Sequence, residues 1–393
     1  MTGHLQSGDG PVGAQAVRHA YVHVPFCPTI CPFCNFEVTE RRSGVVARYL
    51  DRLDDECART VDRLDVARLD TLYLGGGTPS YLRDAEFVRL MDLLTARLGS
   101  AGETTLEVHP STATADRLRL WVDGGVTRLS VGVQSFDDAV LRRLGRPHDA
   151  ATNRAVVEAA LDTGAIVSVD VMTAVDGQDV RADLETAADL GVHHVSAYTL
   201  TIEHGTPFAE RGVEVDAVHE FDSLLAADSV LGAHGFERYE VSSHARPGSR
   251  SRHNGGYWDH RWWLGLGPGA VAHEPVTHPG PASDPIVSGQ IVSVRRTNPA
   301  VAPWLASTPP NGDGRDPRNV HGWCVDGLIS GLRRTDGVDL TELSRRSGID
   351  VETHFAAAVA SEVASGRVVL DGTRISATDT GRWHLDAVMR TFV

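Results

Sequence analysis

Short apolar runs rich in β-branched residues alternate along this chain with longer stretches whose apolar residues recur every three or four positions. The runs are residues 20–25, 71–75, 105–109, 128–132, 166–170 and 194–199; helical patterns fill 45–64, 84–98, 114–124, 150–163 and 180–190 between them. This alternation restricts the fold more than any other feature, because parallel strands need a crossover that is usually a helix. It predicts an α/β fold, a partial (β/α)6 TIM-like barrel. Reactive residues gather at the C-terminal ends of the strands: the turn Gly75-Gly76-Gly77-Thr78, Glu107 with His109, Gln134 and Asp170. A (β/α) barrel builds its site at that end.

At ~150 residues per domain, a chain of 393 has room for more than one. From about residue 275 the sequence turns rich in Pro, Gly and Ser, with Pro275, Pro279, Pro281, Pro285, Pro299, Pro303, Pro309 and Pro310. Helical patterns return at 320–332, 340–347 and 351–366, followed by β-like runs at 367–370 and 374–376 and a last helix at 379–389. The expected organisation is a flexible tail over 1–18, a barrel with its extension over 19–275, a linker over 276–318 and a small winged-helix-like α+β domain over 319–393. A net charge of −15 repels phosphate, which weighs against nucleic acid or anionic membranes as partners. There is no run of 18 apolar residues, and the polar N-terminal stretch has no apolar core of a secretory signal, so a cytoplasmic protein without a membrane span is expected.

The five cysteines are an odd number, and Cys27, Cys31 and Cys34 fall within eight residues in the spacing C-x3-C-x2-C. That is a poor disulfide framework and a good metal site. Three close thiolates can hold three irons of a [4Fe–4S] cube and leave the fourth open to another ligand. A zinc site would want a fourth protein ligand, and neither Cys57 nor His23 has the paired spacing for it. Pro28 and Pro32 stiffen the loop.

The loop after the first strand resembles that of radical S-adenosylmethionine (SAM) enzymes. More closely, Tyr21-Val-His-Val-Pro-Phe-Cys27 with Cys34-Asn-Phe36 resembles the oxygen-independent coproporphyrinogen dehydrogenase and heme-chaperone subgroup. Further matches are Gly75-Gly-Gly-Thr-Pro79, Glu107-Val-His-Pro110, Gly132-Val-Gln-Ser-Phe-Asp137, Tyr239-Glu-Val-Ser242, Ser251-Arg-His-Asn254 and Leu264-Gly-Leu-Gly-Pro-Gly269. The resemblance implies a radical SAM barrel, a [4Fe–4S] cluster on Cys27, Cys31 and Cys34, and SAM at the open iron. It also implies SAM contacts from Gly75, Gly76, Gly77, Thr78, Glu107, Gln134, Arg146 and Asp170, with Tyr21 near the sulfonium. Without the cysteine loop, Arg146 reads as a solvated helix-end arginine, and Tyr21 is equally a strand residue packing in the barrel core.

Within the subgroup, departures from pattern guide the choice of reaction. Met172-Thr-Ala-Val-Asp-Gly-Gln178 replaces the chaperones' Tyr-Gly-Leu-Pro-Gly type stretch, and His109 stands where the motif has Asn. These departures lead to the expectation of a class C methyltransferase of specialised metabolism, using two SAM molecules to methylate or cyclopropanate an sp2 carbon of a heteroaromatic substrate such as a thiazole or indole. Catalytic roles are expected for Tyr21, His109 and Glu240, with His109 or Glu240 as the base, and a flavodoxin or ferredoxin as electron donor. The alternative is a heme chaperone or a coproporphyrinogen III dehydrogenase-like protein.

Overall fold

The computed structural model describes residues 16–42, 44–276, 290–306 and 314–393. The six expected strands all form: β1 (Val17–Val24), β2 (Val66–Gly76), β3 (Glu103–Val108), β4 (Arg128–Gln134), β5 (Ile166–Thr173) and β6 (His194–Thr199). They lie side by side in chain order and parallel, Leu74 opposite Leu106 and Val108 opposite Val131. The crossovers carry α1 (Val45–Arg63), α2 (Asp84–Leu98), α3 (Ala115–Asp123), α4 (Ala150–Leu161) and α5 (Val180–Asp189). Thr114, Asp149 and Asp179 cap three of these helices through their side chains, accepting from backbone N–H groups one turn on.

The strands have a two-residue period with an inverted polarity. Leu72, Leu74, Leu106, Leu129, Val131, Val167, Val169 and Val195 face the helices and build the core. The alternate positions carry Thr71, Tyr73, Thr105, Glu107, Ser130, Ser168, Asp170 and Ser196. An interior filled by Val, Ile and Leu would be a plug; this one is a polar lumen.

Two boundaries differ from the sequence expectation. Val17 and Arg18, assigned to the tail, begin β1, and residues 1–15 of that tail lie outside the described residues. The stretch 276–318 is not a simple linker: Ile291–Thr297 and Gly314–Asn319 are strands of the main sheet, with a short helix Val301–Ala306 between them, while 277–289 and 307–313 lie outside the described residues. Trp263–Leu266 pairs parallel to the free side of β1, and Val271–Pro275, Ile291–Thr297 and Gly314–Asn319 follow antiparallel. The physical reason is burial. Ser293, Arg296 and Asn298 are almost inaccessible, and Arg296 bonds to Glu274 and to the Gly265 carbonyl; Pro299 follows the end of the strand and Pro303 sits in the first turn of the short helix, so neither loosens the chain.

The C-terminal domain opens with α6 (Val320–Gly331), capped by Asn319, and carries a three-stranded sheet of Val338–Asp339, Val368–Asp371 and Arg374–Ala377. The helix expected over 351–366 breaks at Phe355, and that over 379–389 breaks at His384; each residue has non-helical backbone angles. One apolar core runs from the barrel through Trp262 and Trp304 into Trp323, Leu328 and Val388. Among the described residues no helix is long and apolar enough to cross a membrane.

Candidate functional site

A cavity of about 460 Å³ opens at the C-terminal ends of the strands. Cys27, Cys31 and Cys34 form one wall, and Gly76, Gly77, Thr78, Glu107, His109, Gln134, Arg146 and Asp170 also line it. These residues come from five strand ends and the short helix Asp138–Arg143 that precedes Arg146.

The cysteine loop is held from several sides. Thr78 Oγ1 donates to Cys27 Sγ at 3.4 Å, and Arg146 Nη1 donates to Cys31 Sγ at 3.3 Å. The second Arg146 nitrogen donates to the Gly132 carbonyl at 2.7 Å. The Phe208 N–H donates to the Pro32 carbonyl, and a Cβ on Gly145 would stand 2.7 Å from Pro32. Burial pushes the Cys27 thiol up to about 11 and raises Cys34, so each keeps its proton until a metal takes its place. Among the described residues no three His, Cys, Asp or Glu side chains are placed to share a single metal ion. A cube asks for something else, one thiolate per iron with hydrogen bonds to the sulfurs, and the loop fits that demand.

Beside the thiols stands a carboxylate pair. Tyr73 Oη donates to Glu107 Oε1 at 2.9 Å and the Gly76 N–H to Oε2 at 3.0 Å. Ser130 Oγ donates to Asp170 at 3.2 Å. Burial, with repulsion from Asp170, pushes Glu107 up to about 7, and burial pushes Asp170 up to about 6. Two carboxyls that resist ionising in an open cavity suit a cationic ligand, whose charge would restore both. Gly76 has φ 104°, and a Cβ there would strike the His23 ring, so only glycine allows this turn. Gln134 is held at φ 63° at the end of β4, a costly left-handed conformation for a residue with a side chain.

Of the three expected catalytic residues, His109 lines the cavity, whereas Tyr21 and Glu240 are not among its lining residues. Tyr21 lies behind the cavity wall, stacked on Tyr73 at 6.0 Å, with its hydroxyl 3.1 Å from His23 Nδ1. His23 Nε2 is 2.7 Å from the Glu37 carbonyl, which can only accept; the ring is therefore Nε2-protonated and Nδ1 accepts from Tyr21. His109 does line the cavity, but its Nδ1 accepts from the Ser111 N–H at 3.2 Å, so the proton sits on Nε2 and the ring faces the cavity as a donor. Burial and Arg146 lower its pKa to about 2, which leaves no basic nitrogen for proton abstraction. Glu240 is buried away from the cavity lining and forms a backbone bridge to Arg334 of the C-terminal domain. Tyr73, Ser130 and Tyr198 line the site without having been singled out. Counting every second residue inward along β2, β4 and β6 would have found all three.

Residues 21–203 match the family model of the radical SAM superfamily, and residues 327–384 match that of the HemN C-terminal domain. The heme chaperone HemW of Mycobacterium tuberculosis is 32% identical to the chain, covering 95% of it and 94% of the relative. The chain belongs to the HemW–HemN subgroup of the radical SAM superfamily. HemW of Escherichia coli is 35% identical over 66% of the chain and 70% of the relative. Among solved structures, the coproporphyrinogen III oxidase HemN of Escherichia coli matches with a TM-score of 0.79 and 21% identity, covering 96% of this chain and 90% of that one. That likeness establishes the shared fold, including the C-terminal domain. Radical SAM proteins use a [4Fe–4S] cluster and SAM.

The relatives to which the chain is similar overturn the methyltransferase expectation. The Mycobacterium tuberculosis relative matched across 95% of the chain is named a heme chaperone, as are the relatives from Bacillus subtilis and Escherichia coli matched over about two thirds of it, and the C-terminal domain is of the HemN type. The departures at 172–178 and at His109 are variations within that subgroup, and the catalytic base sought in His109 or Glu240 belonged to the discarded reaction.

Proposed function

We propose that this chain is a heme chaperone built on a radical SAM scaffold. The observation that carries the reading is the full-length similarity to the HemW of Mycobacterium tuberculosis, which runs through barrel and C-terminal domain alike. In this reading Cys27, Cys31 and Cys34 hold three irons of a [4Fe–4S] cluster, and SAM's amino and carboxylate groups take the fourth. The cluster, when reduced, can supply an electron to the SAM sulfonium. Gly76, Gly77 and Thr78 line the cavity beside the ligand's amino-acid end, the two glycines packing against the His23 ring and the Val24–Pro25 backbone, and Gly75 lets Tyr73 and Glu107 close up behind them. Arg146, with its Nη groups held by Cys31 and Gly132, gives the SAM carboxylate a nearby positive charge, while Glu107 and Asp170 suit the ligand's own positive charge and Gln134 its polar edge. Tyr21 acts through Tyr73 and His23 as a positioning residue.

A second reading, oxidative decarboxylation of coproporphyrinogen III, asks the cavity to hold a tetracarboxylate. Charge counts against it. Arg146 is the one cation among the lining residues and is engaged by Gly132 and Cys31, while Glu107, Asp170 and Glu203 are acidic. The deciding experiment titrates anaerobically reconstituted protein with hemin, follows the Soret band, and then adds a heme-free acceptor protein. Saturable binding and transfer support the chaperone; carbon dioxide release from coproporphyrinogen III without hemin binding would sink it.

A further inference from the structure

The three thiols differ in what donates to them. Cys27 and Cys31 receive side-chain donors, Thr78 and Arg146, whereas the donor to the Cys34 sulfur is the backbone N–H of Phe36. A backbone donor stays in place only if the arm that carries it is held. Next to Phe36, the Glu37 carbonyl accepts from His23 Nε2 at 2.7 Å, and Gly269 lies against the Glu37 side chain. A Cβ on Gly269 would stand 2.6 Å from Glu37 Cγ, and one on Gly267 would stand 2.5 Å from the His23 carbonyl oxygen. Both glycines have positive φ, 88° at Gly267 and 69° at Gly269, so this turn and its close approach belong to glycine.

The turn is fixed in its turn by buried polar groups from two distant parts of the chain. Glu56 of α1 accepts from the Gly267 N–H at 2.8 Å through one carboxylate oxygen and from Asn298 Nδ2 at 2.7 Å through the other. The same Asn298 nitrogen donates to the Gly267 carbonyl at 2.7 Å, and Asn298 Oδ1 accepts from Arg296. Backbone bonds from Asn298 to the Ala270 carbonyl and from Gly269 to the Pro299 carbonyl, each at 2.9 Å, close the set. Glu56 and Asn298 are buried, so removing either leaves its partners unsatisfied. Neither lines the cavity.

Donors to the sulfurs of an iron–sulfur cluster help set its reduction potential. The reduced cluster carries more negative charge, so each donor favours it and raises the potential. We propose that Glu56 and Asn298 are positioning residues for the redox centre: through Gly267 and Gly269 they hold Glu37, and with it the Phe36 N–H on Cys34, and so keep the cluster's potential up. This inference rests on the cluster assigned to Cys27, Cys31 and Cys34 and is independent of the heme-chaperone reading, which a protein indifferent to hemin would lose alone.

The test takes full-length, anaerobically reconstituted protein and its Asn298→Ala and Gly269→Ala variants through a potentiometric titration followed by electron paramagnetic resonance. Iron, sulfide and the melting temperature of the metal-free protein are measured alongside. Both variants hold iron and sulfide at wild-type values and show a midpoint potential shifted to more negative values. Adding Glu37→Gly to Gly269→Ala removes the atoms that the new Cβ meets and returns the potential toward wild type. A lower melting temperature with an unchanged potential would make the network structural only and overturn the proposal, as would a Glu37→Gly double variant that recovers nothing. If Asn298→Ala does not fold, the Gly269→Ala pair decides. Loss of iron from both variants, with the metal-free protein melting as wild type does, would make the turn a requirement for cluster assembly and overturn its role in the potential. A wild-type protein that takes up no cluster removes the proposal and the cluster assignment together.

Discussion

Two clefts of this molecule are built from similar residue types and end in opposite states. The one at the strand ends holds thiols, carboxyls and an arginine; the other, of about 330 Å³, lies between the barrel and the C-terminal domain and is lined by Asp259, His260, Arg334, Asp336, Arg346 and Arg374, among others. In the second cleft the protein answers its own charges. Arg334 is paired with Asp259 and Asp336, Arg346 donates to the Asp259 and His260 carbonyls, and Arg374 donates to Asp339. In the first cleft burial pushes Glu107, Asp170, Cys27 and Cys34 upward with no cation to restore them except Arg146. Burial alone therefore does not mark a site. What marks it is burial of groups whose partners the chain does not supply. The joint is a structural seam and the strand-end cavity is a place for ligands.

The contrast is easiest to break at its extremes. Cys31→Ala should abolish retention of the cluster, read as loss of iron, sulfide and brown colour after reconstitution, with the circular dichroism spectrum and melting temperature of the metal-free protein unchanged. Loss of folding in that variant would mean the thiol is structural. At the seam the opposite pattern is expected. Arg346→Ala strands two buried carbonyl oxygens and should cost about 2–4 kcal/mol in urea unfolding, while iron content stays at wild type. A variant that keeps its stability but sheds iron would dissolve the distinction between the two clefts.

A smaller effect is expected from acid. The His260 and His273 rings lie 4.6 Å apart, tilted by 34°, in the seam, near Trp323, Arg346 and Arg295. Burial, then Arg295, holds His273 down at about 3, and burial, His273, Arg346 and Arg295 hold His260 well below its usual value. Both are neutral in the fold, whereas the unfolded chain takes up a proton below about pH 6.5. Stability is thus intact above that pH and declines as pH falls from about 6.5 toward 3, by roughly 1.4 kcal/mol per unit for each histidine. His273→Phe should flatten the pH dependence of the unfolding free energy by about that slope; an unchanged slope would show that the ring is not held neutral.

The smallest change concerns the cavity carboxyls. Glu107→Gln should weaken SAM binding about tenfold in anaerobic calorimetry and alter stability by no more than about 1 kcal/mol. Equal SAM affinity in the variant would remove Glu107 from the ligand's surroundings.

The sequence was most legible where local chemistry decides. Six strands and five crossover helices were readable from period, because a side chain's face follows from its position along a strand or helix. The cysteine spacing was readable because three thiols so close in sequence must share one loop. Tyr21 and Glu240 were harder, since both depend on which neighbour stands in front. Tyr73 intervenes between Tyr21 and the cavity, and the C-terminal domain claims Glu240 through Arg334. The proline-rich stretch misled because proline stops a strand as readily as it fills a linker, and Ile291–Thr297 is fixed as a strand by pairing on both sides, with Val271–Pro275 and Gly314–Asn319, across the intervening connections.

Sequence by itself thus determined the parallel α/β architecture, the cysteine loop and the separate helical and hairpin character of the last 75 residues, because each is written in spacings of a few positions. Tertiary structure alone decided which polar residues are unanswered. Glu107 becomes a reluctant acid, His109 a neutral donor and Arg146 a neighbour of Cys31 through burial and through groups up to 115 positions away in the chain. Such properties belong to an environment, and an environment exists only once the chain has closed around it.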